Sequence, residues 1–286
     1  MTRAKTGLRS SYEYLQRHLM PLAQRIYIFQ LFLLSSMLRL PCGMQKFLMP
    51  KMVKLPDGVK VLINDLVTIH LNIPDQYLRK EYEALSDYVP KPGGIVVDVG
   101  AYIGLYSLRA AIIVGNKGLI IAFEPNPNAY CWLLKNIELN NAENVRAYNT
   151  ALGDSESALD FYTVTKGNIG ASSLMKQHIE NSGSRVESYV KTQIPVTTLD
   201  NLYYKSKVFE GKPIDLIKID VEGFELKVLT GLKRLLHERL IERLVVEVHV
   251  DVVQSDAVEW FLKNYDYKLD KKVRFNDVKE VHYYHR

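Results

Sequence analysis

The sequence predicts an α/β fold, a doubly wound and mostly parallel sheet with helices on both faces. Three observations predict it. From residue 91 onward, runs rich in β-branched residues alternate with amphipathic stretches, the runs are apolar almost throughout, and breaker residues separate them. Continuous rather than alternating apolarity marks strands covered on both faces, the condition of a parallel sheet between two helix layers. With 286 residues and 47% hydrophobic content, the chain has enough apolar material for one such domain plus an appendage.

Residues 1–50 read as a separate N-terminal segment. Its apolar run, Ile26 to Leu38, lies between Arg25 and Arg39 and follows Arg3, Lys5, Arg9 and Arg17. The run falls short of the roughly 20 apolar residues that a spanning helix needs. A helix docked on the domain or on a partner chain is the first reading. A helix lying in a membrane interface, giving peripheral membrane contact, is the second. Residues 51–90 lead into the core: two short extended runs flank Pro56-Asp57-Gly58 and predict a hairpin, and Tyr77 to Val89 reads as helix. The breakers Pro90, Pro92, Gly93 and Gly94 then mark the entrance to a domain spanning residues 91–286.

Within that domain, strands are predicted at Ile95 to Val99, Leu119 to Phe123, Val145 to Thr150, Ile214 to Ile219 and Leu244 to Val248. Between Ser155 and Leu202 the alternation lapses into extended pieces, Leu159 to Val164 and Gln193 to Thr197, joined by a polar stretch. This reads as an insertion of the kind that carries substrate contacts over a rigid sheet. Phe224, Val228, Leu229, Leu232, Leu235 and Leu236 recur at helical spacing and read as core.

Composition sets limits on function. The formal charge of +5, from 37 basic and 32 acidic residues, is too small and too dispersed to argue for a nucleic-acid partner. Cys42 and Cys131 show no spacing for a disulfide framework or a zinc knuckle. That usage suits a reducing compartment, so a cytoplasmic location is expected, with membrane association through the N-terminal segment as its variant.

The chemistry concentrates where predicted strands end. Asp98 closes the first strand, and Gly100 and Gly104 frame a tight turn around Ala101. A nicotinamide-binding turn would read G-x-G-x-x-G, whereas this one reads D-x-G-x-x-x-G. A carboxylate at the strand end repels a pyrophosphate and suits the ammonium of a methionine moiety. Glu124, followed by Pro125 at the end of the second strand, is placed to accept both hydroxyls of a ribose. Ala151, after the third strand, is a candidate wall for an adenine ring. The fourth strand brings Lys218, Asp220 and Glu222 to the same edge, and a lysine inside a buried strand needs a carboxylate or a ligand. The fifth adds Glu247 and His249 on one face, either of which offers a base for a hydroxyl proton. His70, His178, His237, His282 and His285 read as surface or core residues.

Taken together, Val97 to Gly104, Phe123-Glu124-Pro125-Asn126, Thr198-Leu199-Asp200 and Lys218 to Glu225 resemble the FkbM family of S-adenosylmethionine (SAM) dependent methyltransferases, in the same order. The resemblance covers roughly Tyr82 to His249, with Tyr102 standing where relatives commonly carry Asn. It implies a class I methyltransferase fold and methylation of a hydroxyl on a sugar, glycolipid or natural product, so the expected partner is a small-molecule or glycan acceptor. Asp98, Gly100, Ala101, Gly104, Glu124, Pro125, Ala151 and Asp220 are then the expected cofactor-binding residues. Lys218, Asp220, Glu222, Glu247 and His249 are the expected acceptor-side residues. No metal is assigned, although Asp220, Glu222, Glu247 and His249 could together hold a divalent ion such as Mg²⁺. Two other readings compete: a nicotinamide-dependent dehydrogenase, disfavoured by the missing middle glycine, and a non-catalytic membrane-associated binding protein.

Overall fold

The computed structural model describes residues 51–63, 68, 72–77, 80–167, 170, 172–181 and 186–286. The apolar run Ile26 to Leu38, with the rest of residues 1–50, and His70 lie outside them.

The predicted hairpin forms from β1 (Met52–Lys54) and β2 (Lys60–Leu62), paired antiparallel. A short helix α1 (Ile73–Tyr77) follows, and then a 3₁₀ turn at Ser86–Tyr88. The helix predicted over Tyr77 to Val89 is not present in the described part of that span. Its large side chains are held one at a time by tertiary partners: Tyr82 OH by Asp220 and Glu247, and Tyr88 OH by Asp270 at 2.6 Å. Such contacts override local helical preference.

The core follows as β3 (Ile95–Val99), α2 (Leu105–Val114), β4 (Leu119–Phe123), α3 (Pro127–Leu139) and β5 (Val145–Tyr148). The insertion is β6 (Ala151–Leu152), β7 (Ser157–Gly167), α4 (Lys176–Asn181) and β8 (Val186–Thr197). Then come α5 (Leu199–Lys205), β9 (Ile214–Ile219), α6 (Glu225–Thr230), α7 (Lys233–His237) and β10 (Ile241–His249). The chain closes with α8 (Ser255–Lys263), β11 (Lys268–Asn276) and β12 (Lys279–His285).

Seven strands form the main sheet in the order β11-β12-β10-β9-β3-β4-β5. β5, β4, β3, β9 and β10 pair in parallel, and β12 enters antiparallel to both β10 and β11. The sheet is therefore doubly wound, as predicted. Winding reverses between β3 and β9, so the crevice beyond their carboxyl ends is the natural ligand position. The third strand stops at Tyr148 rather than Thr150, because Ala151 and Leu152 leave the main sheet to pair with β8. The insertion is built on the long antiparallel pair β7–β8, which with β6 makes a second sheet of three strands.

Two links, one buried and one partly buried, fasten the hairpin and the following segment to this core. Asn136 of α3 is fully buried; its side chain accepts from Leu62 N at 2.8 Å and donates to Ile103 O at 2.9 Å. Arg109 of α2 grips Glu83 through two parallel hydrogen bonds of 2.7 and 2.8 Å and reaches Asp57 at 3.3 Å. A bidentate guanidinium–carboxylate pair fixes orientation as well as distance.

Candidate active site

Asp98 and Lys218 face one another across β3 and β9 in the strand register. Asp98 is fully buried: Oδ2 accepts from Ser107 Oγ at 2.6 Å, and Oδ1 lies 3.1 Å from Lys218 Nζ. The same ammonium donates to Gly100 O at 2.8 Å and stands 3.5 Å from Asp220 Oδ2. Burial opposes a charged lysine, but Asp98 and Asp220 outweigh it and hold the Lys218 pKa above its ordinary value. Both side chains thus sit behind the wall of the crevice, tying strand to turn. Asp98, expected to meet a ligand ammonium, is fully buried and is not among the residues that line the crevice. Lys218, expected on the acceptor side, is likewise not among the lining residues.

The turn itself is held close to β9. Gly100 has φ +79°, and a Cβ there would lie 1.7 Å from the backbone oxygen of Asp220. Only glycine combines that conformation with that approach. Gly100 lines the crevice, while Ala101 is buried among core residues and Gly104, at φ +93°, packs on Leu133 and begins α2.

The crevice is a cavity of about 720 Å³. At one end, Glu124, Pro125 and Ala151 line it with Phe123 and Tyr102, as expected for the first two strand ends and the start of β6. Glu124 Oε2 accepts from Tyr102 N at 2.7 Å and Oε1 from Asn126 N at 2.8 Å. Burial pushes this carboxyl up to about 7, against the lowering effect of those two amides and of Lys218. Each oxygen retains a further lone pair for a ligand hydroxyl.

At the other end, Asp220, Glu222, Glu247 and His249 converge, as predicted, on the same cavity. Tyr82 OH lies 3.0 Å from Asp220 Oδ2 and 2.8 Å from Glu247 Oε2. One phenolic proton cannot serve both acceptors. Burial and the charge of Asp220 hold the Glu247 carboxyl well above its usual range, so a proton on Glu247 turns both contacts into hydrogen bonds. Lys279 bridges Glu247 at 2.9 Å and Glu81 at 2.5 Å. His249 Nδ1 lies 2.7 Å from Glu225 Oε1, and its Nε2 lies 3.0 Å from Glu222 Oε2. Burial alone would deprotonate this ring, but Glu222 and Glu225 hold its pKa well above the ordinary value. Both ring nitrogens of His249 thus face carboxylates.

The structure adds residues that the motifs did not mark. His178 of α4, expected at the surface or in the core, lines the cavity with Nε2 2.7 Å from Glu222 Oε2 and Nδ1 3.1 Å from Asp251 Oδ2. Glu81, Tyr82 and Lys279 reach the site from either side of the core in sequence. Tyr82 stands at the margin of the family resemblance and Lys279 lies in no motif, so no local signal distinguished them. No helix among the described residues is long and apolar enough to cross a membrane.

Comparison with known proteins identifies the family. Residues 98–269, more than half of the chain, match the family described as the methyltransferase FkbM domain. The chain is 29% identical to Methyltransferase 1 of Beauveria bassiana, over 66% of this chain and 81% of that protein. It is 30% identical to the hexuronic acid methyltransferase AglP of Haloferax volcanii, over 58% of this chain and 60% of that protein. Among solved structures, a SAM-dependent methyltransferase from Aquifex aeolicus aligns with a TM-score of 0.44 at 15% identity, covering 77% of this chain and 93% of that one. By its sequence match over the residues that build the crevice, the chain belongs to the FkbM family of methyltransferases.

Proposed function

We propose that this methyltransferase takes its methyl group from SAM and delivers it to a hydroxyl of a sugar-containing or natural-product acceptor. The observation that carries the reading is one continuous cavity with a nucleoside-type end at Glu124 and an acid-rich end at Asp220. The chemistry of the donor set fits SAM. Glu124 offers lone pairs to the ribose hydroxyls, Phe123 and Ala151 give apolar wall for the base, and the carboxylates beyond favour a cationic ligand. Bound there, SAM supplies a methyl group already activated by its sulfonium.

The chain's own task is then positioning and proton removal. Asp98 and Lys218 keep the glycine turn pressed on the end of β9, which fixes where the cofactor end of the cavity stops. Asp220, at that junction and partly open to the cavity, takes the acceptor proton, while Tyr82 orients its carboxylate. Glu222 and the protonated Glu247 offer hydrogen bonds to neighbouring acceptor hydroxyls. The hexuronic acid named for the Haloferax relative supports a sugar acceptor.

The test is to incubate the purified protein with methyl-labelled SAM and glycan, lipid and small-molecule fractions of a host extract, then to locate the label by mass spectrometry. An O-methyl ether, lost with Asp220→Asn, is the expected result. Label confined to nitrogen or carbon of the product would overturn the hydroxyl reading.

A further inference from the structure

Beyond the methyl-transfer residues, the geometry points to a divalent transition-metal site formed by His178 Nε2, His249 Nε2 and the Glu222 carboxylate, open toward the acceptor end of the cavity. His178 lies 2.7 Å and His249 3.0 Å from the same oxygen, Glu222 Oε2, and the three ligand atoms fall within 4.8 Å of one another. A tetrahedral ion with bonds of 2.0–2.1 Å spaces its ligands roughly 3.3 Å apart, so each imidazole must move back from Glu222 by some tenths of an ångström to admit it.

Each imidazole is oriented from behind. Glu225 Oε1 holds His249 Nδ1 at 2.7 Å, and Asp251 Oδ2 holds His178 Nδ1 at 3.1 Å. A carboxylate on the outer nitrogen of each ligand histidine is the arrangement that fixes tautomer and ring direction at metal centres. It also poses a problem that a cation solves. With neutral rings donating through Nδ1, two Nε2 lone pairs point at a carboxylate oxygen that can only accept. Either one further proton on each ring or one divalent ion must lie between them, and the two choices carry the same charge.

The backbone is arranged to the same end. Glu222 sits at φ +52°, a conformation costly for a residue with a side chain, and Ser173 Oγ of the insertion donates to its carbonyl at 2.6 Å. Both histidines are buried, whereas the Glu222 side chain is 23% exposed and lines the cavity, so the unfilled coordination positions face the acceptor. Two imidazoles and one carboxylate suit Zn²⁺, Mn²⁺, Fe²⁺ or Co²⁺ better than Mg²⁺, which prefers oxygen ligands. Asp220, Glu247 and His249, three of the four residues of the oxygen-rich alternative raised by the sequence, also fall within 4.8 Å of one another, but their two carboxyls already pair with Tyr82, Lys218 and Lys279.

The site is tested without SAM or acceptor, so its outcome is independent of the methylation reading. Full-length protein stripped with a chelator is titrated with Co²⁺, following visible d–d absorption, and the ion is then displaced with Zn²⁺. One equivalent with a low-coordinate spectrum is expected. His178→Ala should weaken binding about 100-fold and Asp251→Asn about 10-fold. Circular dichroism and thermal melts of each variant establish that the fold is retained, and Asp251→Asn, which leaves every ligand in place, serves if His178→Ala does not fold. Absence of stoichiometric Co²⁺ or Zn²⁺ binding by the stripped wild type, or binding that neither substitution changes, would overturn the assignment.

Discussion

Replacing Lys218 by methionine tests whether this lysine is part of the framework. The substitution keeps the apolar stem and removes the ammonium, leaving Asp98 Oδ1 without a charged partner in a site with no solvent exposure and removing the donor to Gly100 O. Breaking one side of a buried pair costs about 3–5 kcal/mol, since the surviving charge stays buried. For a chain of this size each kcal/mol lowers the melting midpoint by about 2–4 °C, so a drop of roughly 6–20 °C is expected by calorimetry. The raised pKa of Lys218 fixes the sign with pH: its stabilisation is fully present below the ordinary lysine value and is lost as pH rises through the still higher folded value. The deficit of the methionine variant should therefore be undiminished across the neutral range. Adding Asp98→Asn removes the orphaned charge while keeping an oxygen for Ser107, so the double variant should melt above Lys218→Met alone. A single variant melting within about 2 °C of wild type, or a cycle additive to within about 0.5 kcal/mol, would refute the reasoning.

Two further predictions concern the cofactor end. Because burial raises Glu124 to about 7 and ribose hydroxyls favour its ionised form, affinity for S-adenosylhomocysteine should fall as pH drops through that value, by about tenfold between pH 8 and 6. Titration calorimetry should show this dependence in wild type and a weak, flat profile in Glu124→Gln; an equally flat wild-type profile would remove Glu124 as a contact. Gly100→Ala forces a Cβ toward the Asp220 carbonyl at positive φ, a cost of about 2–6 kcal/mol from strain and overpacking together. It should abolish measurable cofactor binding and lower the melting midpoint, and wild-type values for both would refute the close approach of turn and strand.

The interior of the main sheet was legible because its signal is local. β3, β4 and β9 match their predicted spans residue for residue, since runs that are apolar almost throughout leave little choice of position. β11 and β12 were missed. β11 is a mostly exposed edge strand rich in lysine, and its pairing with β12 is set by a tight return at Asp277 rather than by apolarity. The Glu124 end of the cavity was likewise readable as a convergence of residues, because it is made from strand ends and the residues just after them. At Asp98 the motif marked an acid at the strand end but could not reveal that Lys218 lies opposite it in the neighbouring strand. His178, Glu81 and Lys279 were invisible for the same reason, as only folding brings the insertion, the pre-core segment and the last hairpin to one place.

That assembly has an evolutionary consequence. The strand ends of β3, β4 and β9 shape one end of the cavity, whereas the opposite end draws on Asn72, Asp75, Gln76, Glu81 and Tyr82, on α4 and its approach, and on the turn before Lys279. None of these three stretches carries the parallel pairing of the sheet, so a change in any of them leaves the pairing of β3, β4 and β9 in place. On the proposed function, a new acceptor can thus be accommodated by grafting peripheral segments onto an unchanged sheet. The constraint on such grafts is the Glu222 turn, where Ser173 and His178 of the insertion meet the end of the sheet. A transplanted segment must reproduce that junction to remain in register with the chemistry.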